Sequence, residues 1–142
     1  MANITQLARN PYSLGIAVRY LARIAPFSKF EFGPSVSSLI HQINDGTHLI
    51  VETNDEMAGY LGWVRTSKEM AENWMNSTGD LSKVADGDAI VVTIFHAEDS
   101  KDILQMVRAA KKLEPNTPVY WKRFYDTTRM PAPRSVKIKP KA

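Results

Sequence analysis

The run Ala89 to Phe95 (AIVVTIF) constrains this chain more than any other stretch. It is apolar at consecutive positions and rich in β-branched residues, too short to span a bilayer and too uniformly apolar for a strand with one wet face. A strand covered on both sides, at the centre of a sheet, satisfies these conditions. Regular alternation then predicts Ile90, Val92 and Ile94 on one face and Val91 and Phe95 on the other, all buried. A turn-rich segment, Gly79 to Asp88, leads into this strand. After it, Ser100 reads as the N-cap of a helix carrying Ile103, Leu104, Val107, Ala110 and Leu113 and ending before Pro115. Val119 to Tyr125 (VYWKRFY) reads as a further strand, and a strand-helix-strand crossover of this kind leaves its two strands parallel.

Upstream, Leu14, Ala17, Val18, Leu21, Ile24 and Ala25 recur at helical spacing, which predicts an amphipathic helix over 13–25 stopped by Pro26. Val36, Leu39, Ile40 and Ile43 repeat the pattern, and Asp45-Gly46 supplies a helix C-terminus. His48 to Thr53 and Ala58 to Thr66 read as strand-like runs joined through Asn54, Asp55, Glu56 and Met57, a hairpin. Thr66-Ser-Lys-Glu69 has the form of a capping box, with Met70, Ala71, Trp74 and Met75 as the buried stripe of the helix it opens. The predicted fold is α/β, a mixed sheet flanked by helices in the order ααββαβαβ.

The chain has 142 residues, enough for one domain, with 44% hydrophobic and 23% charged residues. We divide it into an N-terminal segment (1–12), a domain (13–126) and a basic, proline-containing C-terminal tail (127–142). Without cysteine there is no disulfide, thiolate metal site or cysteine nucleophile. Neither a secretory signal nor a membrane-spanning run is legible, and the cytoplasm is the expected compartment. Arg129, Arg134, Lys137, Lys139 and Lys141 exceed the formal net charge of +3. The tail reads either as a solvated terminus or as an electrostatic arm for an acidic partner.

The element order resembles a GNAT acyltransferase core lacking its first strand. More narrowly, the chain resembles the RTX-toxin-activating lysine acyltransferases over roughly residues 13 to 125. The matching residues are Ala25-Pro26-Phe27-Ser28 after the first helix, Tyr60, Gly62 and Trp63 in the hairpin, Ser67 and Glu69 at the next helix start, and Gly87-Asp88 before the central strand. The resemblance implies a GNAT-like domain that moves an acyl group from a thioester donor, acyl carrier protein ahead of acyl-coenzyme A, to a protein lysine, with no tightly bound cofactor. The family's essential histidine falls on Ser28 and its essential aspartate near Thr93. An isolated serine hydroxyl is a poor base, so the family's mechanism does not carry over intact. The alternative is a catalytically silent, GNAT-like pseudoenzyme that works by binding a protein such as an acyl carrier.

GNAT enzymes hold the coenzyme A pyrophosphate on a glycine-containing turn at a helix N-terminus. The corresponding stretch here, His96 to Lys101, has no glycine and carries Glu98 and Asp99, which repel phosphate. His96 stands at the predicted end of the central strand and reads either as a replacement base, oriented by Asp99 or Glu98, or as a surface loop histidine. The spacing of His41, His48 and His96 gives no metal pattern. Trp63, Ser100, Tyr120 and Tyr125 are candidate contacts to substrate. For the aromatics the plainer reading is core packing. Lys111-Lys112 and Lys122-Arg123 belong to no nucleic-acid-binding module, and a nucleic-acid partner is not expected.

Overall fold

In the computed structural model, which describes residues 3–24, 27–76, 79, 81–123 and 132–136 (backbone alone for 122–123 and 132–136), ten helices and strands follow one another. They are β1 (Asn3–Thr5), α1 (Pro11–Leu21), α2 (Phe32–Asp45), β2 (His48–Thr53), β3 (Glu56–Thr66), α3 (Lys68–Met75), β4 (Ala89–Ala97), α4 (Ser100–Leu113), β5 (Val119–Arg123) and β6 (Ala132–Val136). The predicted order ααββαβαβ is present, with one more strand at each end. The six strands form one sheet in chain order, antiparallel except that β4 and β5 run parallel. Both outer strands come from segments that the sequence reading left outside the domain. Asn3–Thr5 pairs with β2, and Ala132–Val136, read as part of the basic tail, pairs with β5.

Local chemistry explains where elements begin and turn. Asn54 and Asp55 both take positive φ, 54° and 63°, and make a two-residue hairpin turn whose twist suits the flanking strands. Strand β3 therefore starts at Glu56, two residues earlier than predicted. Gly46, at φ 71°, ends α2 in the left-handed conformation that favours glycine.

Helix α1 is shorter than predicted. The side chain of Asn10 caps it by accepting from the Ser13 N–H, Pro11 occupies its first turn, and it ends at Leu21; Ala25 and Pro26 lie outside the described residues. Two predicted caps are each displaced by one residue. Ser67, not Thr66, caps α3 by accepting from the Met70 N–H, while the Thr66 hydroxyl donates to the Ser82 carbonyl. Asp99, not Ser100, caps α4 by accepting from the Lys101 N–H. In both places the better-placed acceptor wins because the strand or bend before it sets the backbone.

The strand from Ala89 is central, as predicted, but its faces are not those of regular alternation. Gly62 pairs with Ile94 and Trp63 with Val92, so Thr93 is an extra residue, a β-bulge. A bulge reverses the alternation beyond it. Ile90 and Val92 pack with Leu49, Leu61, Trp63 and Met106 beneath α4, and Phe95 joins them. Ile94 instead joins Tyr20, Leu39, Ile43, Ile50 and Tyr60 beneath α1 and α2. Val91 packs with Ala71, Met75 and Tyr120 beneath α3. Ile90, Val91, Val92 and Ile94 are buried and Phe95 is half-buried. Burying each such side chain stabilises the fold by about 1.5–3 kcal/mol, and these three clusters hold both faces of the sheet. Among the described residues no helix is long and apolar enough to cross a membrane.

Candidate functional site

The bulge divides β4 into two unlike halves. Ile90, Val91 and Val92 pair with Val119, Tyr120 and Trp121 of β5. From Ile94 to Ala97 the strand has β3 on one side and no described strand on the other. The rings of Phe95 and Trp121 meet where the strands part, with centroids 5.1 Å apart. The Trp121 Nε1 there is buried and has no hydrogen-bond partner among the described residues.

At the bulge, Thr93 is held from α2. The Gln42 Nε2 donates to Thr93 Oγ1 (2.9 Å), and Gln42 Oε1 accepts from the Tyr60 hydroxyl (2.8 Å). Gln42 is 1% exposed, so its amide must be satisfied inside the protein, and these two bonds do so. The backbone carbonyl of Gln42 accepts from His48 Nδ1, whose Nε2 accepts from the Leu7 N–H (2.8 Å). Both ring nitrogens of His48 are thus occupied, and burial lowers its pKa below the ordinary imidazole value. His48 ties the segment after β1 to α2 as a neutral structural ring.

Beyond the bulge, His96 is half-buried, and its Nδ1 lies 2.9 Å from the hydroxyl of Tyr20 on α1. The same hydroxyl lies 3.4 Å from Glu98 Oε1. Burial of Tyr20, with the Glu98 charge added, holds its pKa well above the ordinary phenol value, so it keeps its proton. His96 is therefore oriented by a tyrosine that Glu98 in turn engages. Asp99, the other expected partner, caps α4.

The predicted site residues separate into distinct places. Ser28 is exposed on a short 3-10 turn (Phe27–Lys29) and lines an apolar pocket of about 250 Å³ between α1 and α2, whose wall includes Ile94 and Leu39. Thr93 lines a different and larger cleft, of about 830 Å³, together with His41, Trp63 and Trp74. Trp63 is fully buried under α4, and Tyr120 is 4% exposed against α3, where burial raises its pKa. Ser100 is exposed in the first turn of α4. Tyr125 lies outside the described residues. Sequence reasoning passes over Gln42 and Tyr20, and takes Tyr60 as a match in the hairpin and a core aromatic without the bond to Gln42. A glutamine at the edge of the apolar stripe of α2, three residues after Leu39, was the one signal that could have found the first.

A phosphate cradle does not fit the start of α4. The carboxylate of Asp99 already occupies the helix N-terminus, exposed Glu98 precedes it, and Asp102 lies in the first turn. Among the described residues no cluster of three or more histidines and carboxylates could hold a metal ion.

No protein-family model matches this sequence, and no curated protein matches it. Solved structures do. The chain is similar to the loading GNATL domain of CurA from Lyngbya majuscula, with 13% identity, 92% of this chain and 71% of that one covered and a TM-score of 0.61. It is also similar to the GphF GNAT-like decarboxylase in complex with isobutyryl-CoA, with 16% identity, 87% and 67% covered and a TM-score of 0.65. An acetyltransferase of the GNAT family from Streptococcus agalactiae matches with 10% identity, 88% and 77% covered and a TM-score of 0.51. The fold is GNAT-like.

Proposed function

We propose that this protein transfers an acyl group from a thioester donor to an amine, and more narrowly from acyl carrier protein to a protein lysine, as the resemblance to the toxin-activating lysine acyltransferases implies. The observation that carries the reading is the edge of β4 from Ile94 to Ala97, which has no described strand beside it. Backbone groups without a partner among the described strands call for an extended one, and the amide-bearing pantetheine arm of an acyl thioester has the shape and hydrogen-bonding groups to add there. The unpartnered Trp121 Nε1, at the point where β4 and β5 part, supports this placement. So does the neighbour GphF, whose structure holds an acyl thioester, isobutyryl-CoA.

In the reaction the neutral amine attacks the thioester carbonyl. The C–N bond forms, the C–S bond breaks, and a base takes the amine proton and returns a proton to the leaving thiolate, so that the amide and a free thiol result. His96, on the open half of β4, is the base in this reading. Ser28 and Thr93 occupy the family's positions without its chemistry; Ser100, exposed at the start of α4, and Tyr125 remain candidate contacts to substrate, whereas Trp63 and Tyr120 are buried in the core. The carboxylates at the start of α4 favour a carrier-protein donor, since a carrier brings its own protein surface and needs no pyrophosphate cradle there.

A second reading, binding of an acyl carrier or toxin-like partner without catalysis, is favoured by one observation. The Thr93 hydroxyl is held by Gln42, and among the described residues no carboxylate bonds to it at the bulge. Purified protein, offered the same acyl groups on coenzyme A and on acyl carrier protein with a lysine-containing protein acceptor, separates the two. Thiol release with matching mass gain on the acceptor, faster from the carrier, is expected. Carrier binding without turnover from any donor would select the second reading.

A further inference from the structure

We infer that Glu98, acting through Tyr20, is a positioning residue that holds the neutral His96 ring as the Nδ1–H tautomer and leaves Nε2 as its basic nitrogen. This rests on the reading of His96 as the base. Tyr20 has a single hydroxyl proton and two neighbours, His96 Nδ1 at 2.9 Å and Glu98 Oε1 at 3.4 Å. An ionised carboxylate can only accept. If the hydroxyl donated to Nδ1, its lone pairs would face the carboxylate and the second contact would be repulsive. Both contacts are attractive in one arrangement alone: the hydroxyl proton directed at Glu98, and Nδ1–H donating to the phenolic oxygen.

At 3.4 Å the carboxylate acts on the hydroxyl chiefly through its charge. Arg23 partly offsets that charge at Tyr20, and burial of Tyr20 strengthens it. The tautomer of a histidine follows from the bond its other nitrogen makes, and among the described residues Nε2 of His96 makes none. The three residues come from separate stretches, Tyr20 from α1 and His96 and Glu98 from the end of β4 and the bend after it, so only the fold assembles them.

The test reads the ring directly. Long-range proton-nitrogen spectra of ¹⁵N-histidine-labelled protein, at about pH 8.5 and so about two units above the ordinary imidazole pKa, should show His96 protonated at Nδ1. Glu98→Ala frees the hydroxyl to donate to Nδ1 and should move the ring to the Nε2–H form, and Tyr20→Phe should do the same. Circular dichroism checks that both variants are folded. An Nε2–H ring in the native protein, or an unchanged ring in Glu98→Ala, would overturn the inference. No acyl donor is needed, so this result stands apart from the outcome of the transfer assay. Where transfer from acyl carrier protein is measured, Glu98→Ala should lower kcat about a hundredfold with KM for the carrier unchanged, and Glu98→Asp should recover part of the loss. An unchanged kcat also counts against it.

Discussion

The side-chain amide of Gln42 lies against the backbone of Gly62 so closely that a methyl group at position 62 would overlap it. The contact lets a helix place a polar group flat on the sheet, where it reaches Tyr60 on β3 and Thr93 at the bulge of β4.

Gly62→Ala should therefore destabilise the protein by about 1–3 kcal/mol, because the amide must leave and the hydroxyls of buried Tyr60 and half-buried Thr93 lose their partner. Gln42→Ala should cost a similar amount alone. The double variant should cost less than the sum of the two, since the second change removes the overlap created by the first. Denaturant midpoints of the four proteins give the answer, and strict additivity would show that Gln42 does not bear on Gly62.

His48 makes stability depend on pH. Burial, the largest cause, lowers its pKa below the unfolded value; its bond to the Gln42 carbonyl opposes this, and the Arg9 charge adds a smaller lowering. The unfolded chain takes up the proton first as pH falls. Its contribution is thus fully present above about pH 6.5 and is lost below that as pH falls toward the folded value, at no more than about 1.4 kcal/mol per pH unit. Urea midpoints measured between about pH 7.5 and 5 should fall more steeply for the native protein than for His48→Asn. Parallel curves would leave His48 without this role.

Coenzyme A should bind poorly. With Asp99 capping α4 and Glu98 beside it, acetyl-coenzyme A should give no resolvable rise in melting temperature, although a ligand at a hundredfold its Kd adds about 2.7 kcal/mol. The Glu98→Gln, Asp99→Asn variant, which keeps a helix cap and removes both charges, should gain a shift. A clear rise with the native protein would show that the turn tolerates pyrophosphate.

His96→Ala should separate chemistry from stability. The ring is half-buried and shares a single bond, to a tyrosine that keeps Glu98, so the loss of stability should stay near 1 kcal/mol or below. Acyl transfer, once measured, should fall about a hundred- to ten-thousandfold. Full activity in this variant would take His96 out of the mechanism.

The repeating elements of the fold were legible because each writes its period locally. The apolar stripes of α2 and α4, the strand-like runs of β2 and β3 around the Asn54-Asp55 turn, and the two-sided run in β4 all follow from which faces a helix or strand must bury. The caps of α3 and α4 were legible to within one residue, since neighbouring Thr66 and Ser67, or Asp99 and Ser100, are nearly equal as acceptors until the backbone before them is set. The Thr93 bulge left no such mark. Threonine fits a regular strand as well as a bulged one, and the extra residue is defined only by the pairing of Gly62 with Ile94 and Trp63 with Val92. The tertiary structure alone turned Ile94 and His96 toward α1, brought Tyr20 to a histidine 76 positions away, and seated Gln42 on Gly62. Those are agreements between surfaces distant in sequence, and local propensity carries no information about them.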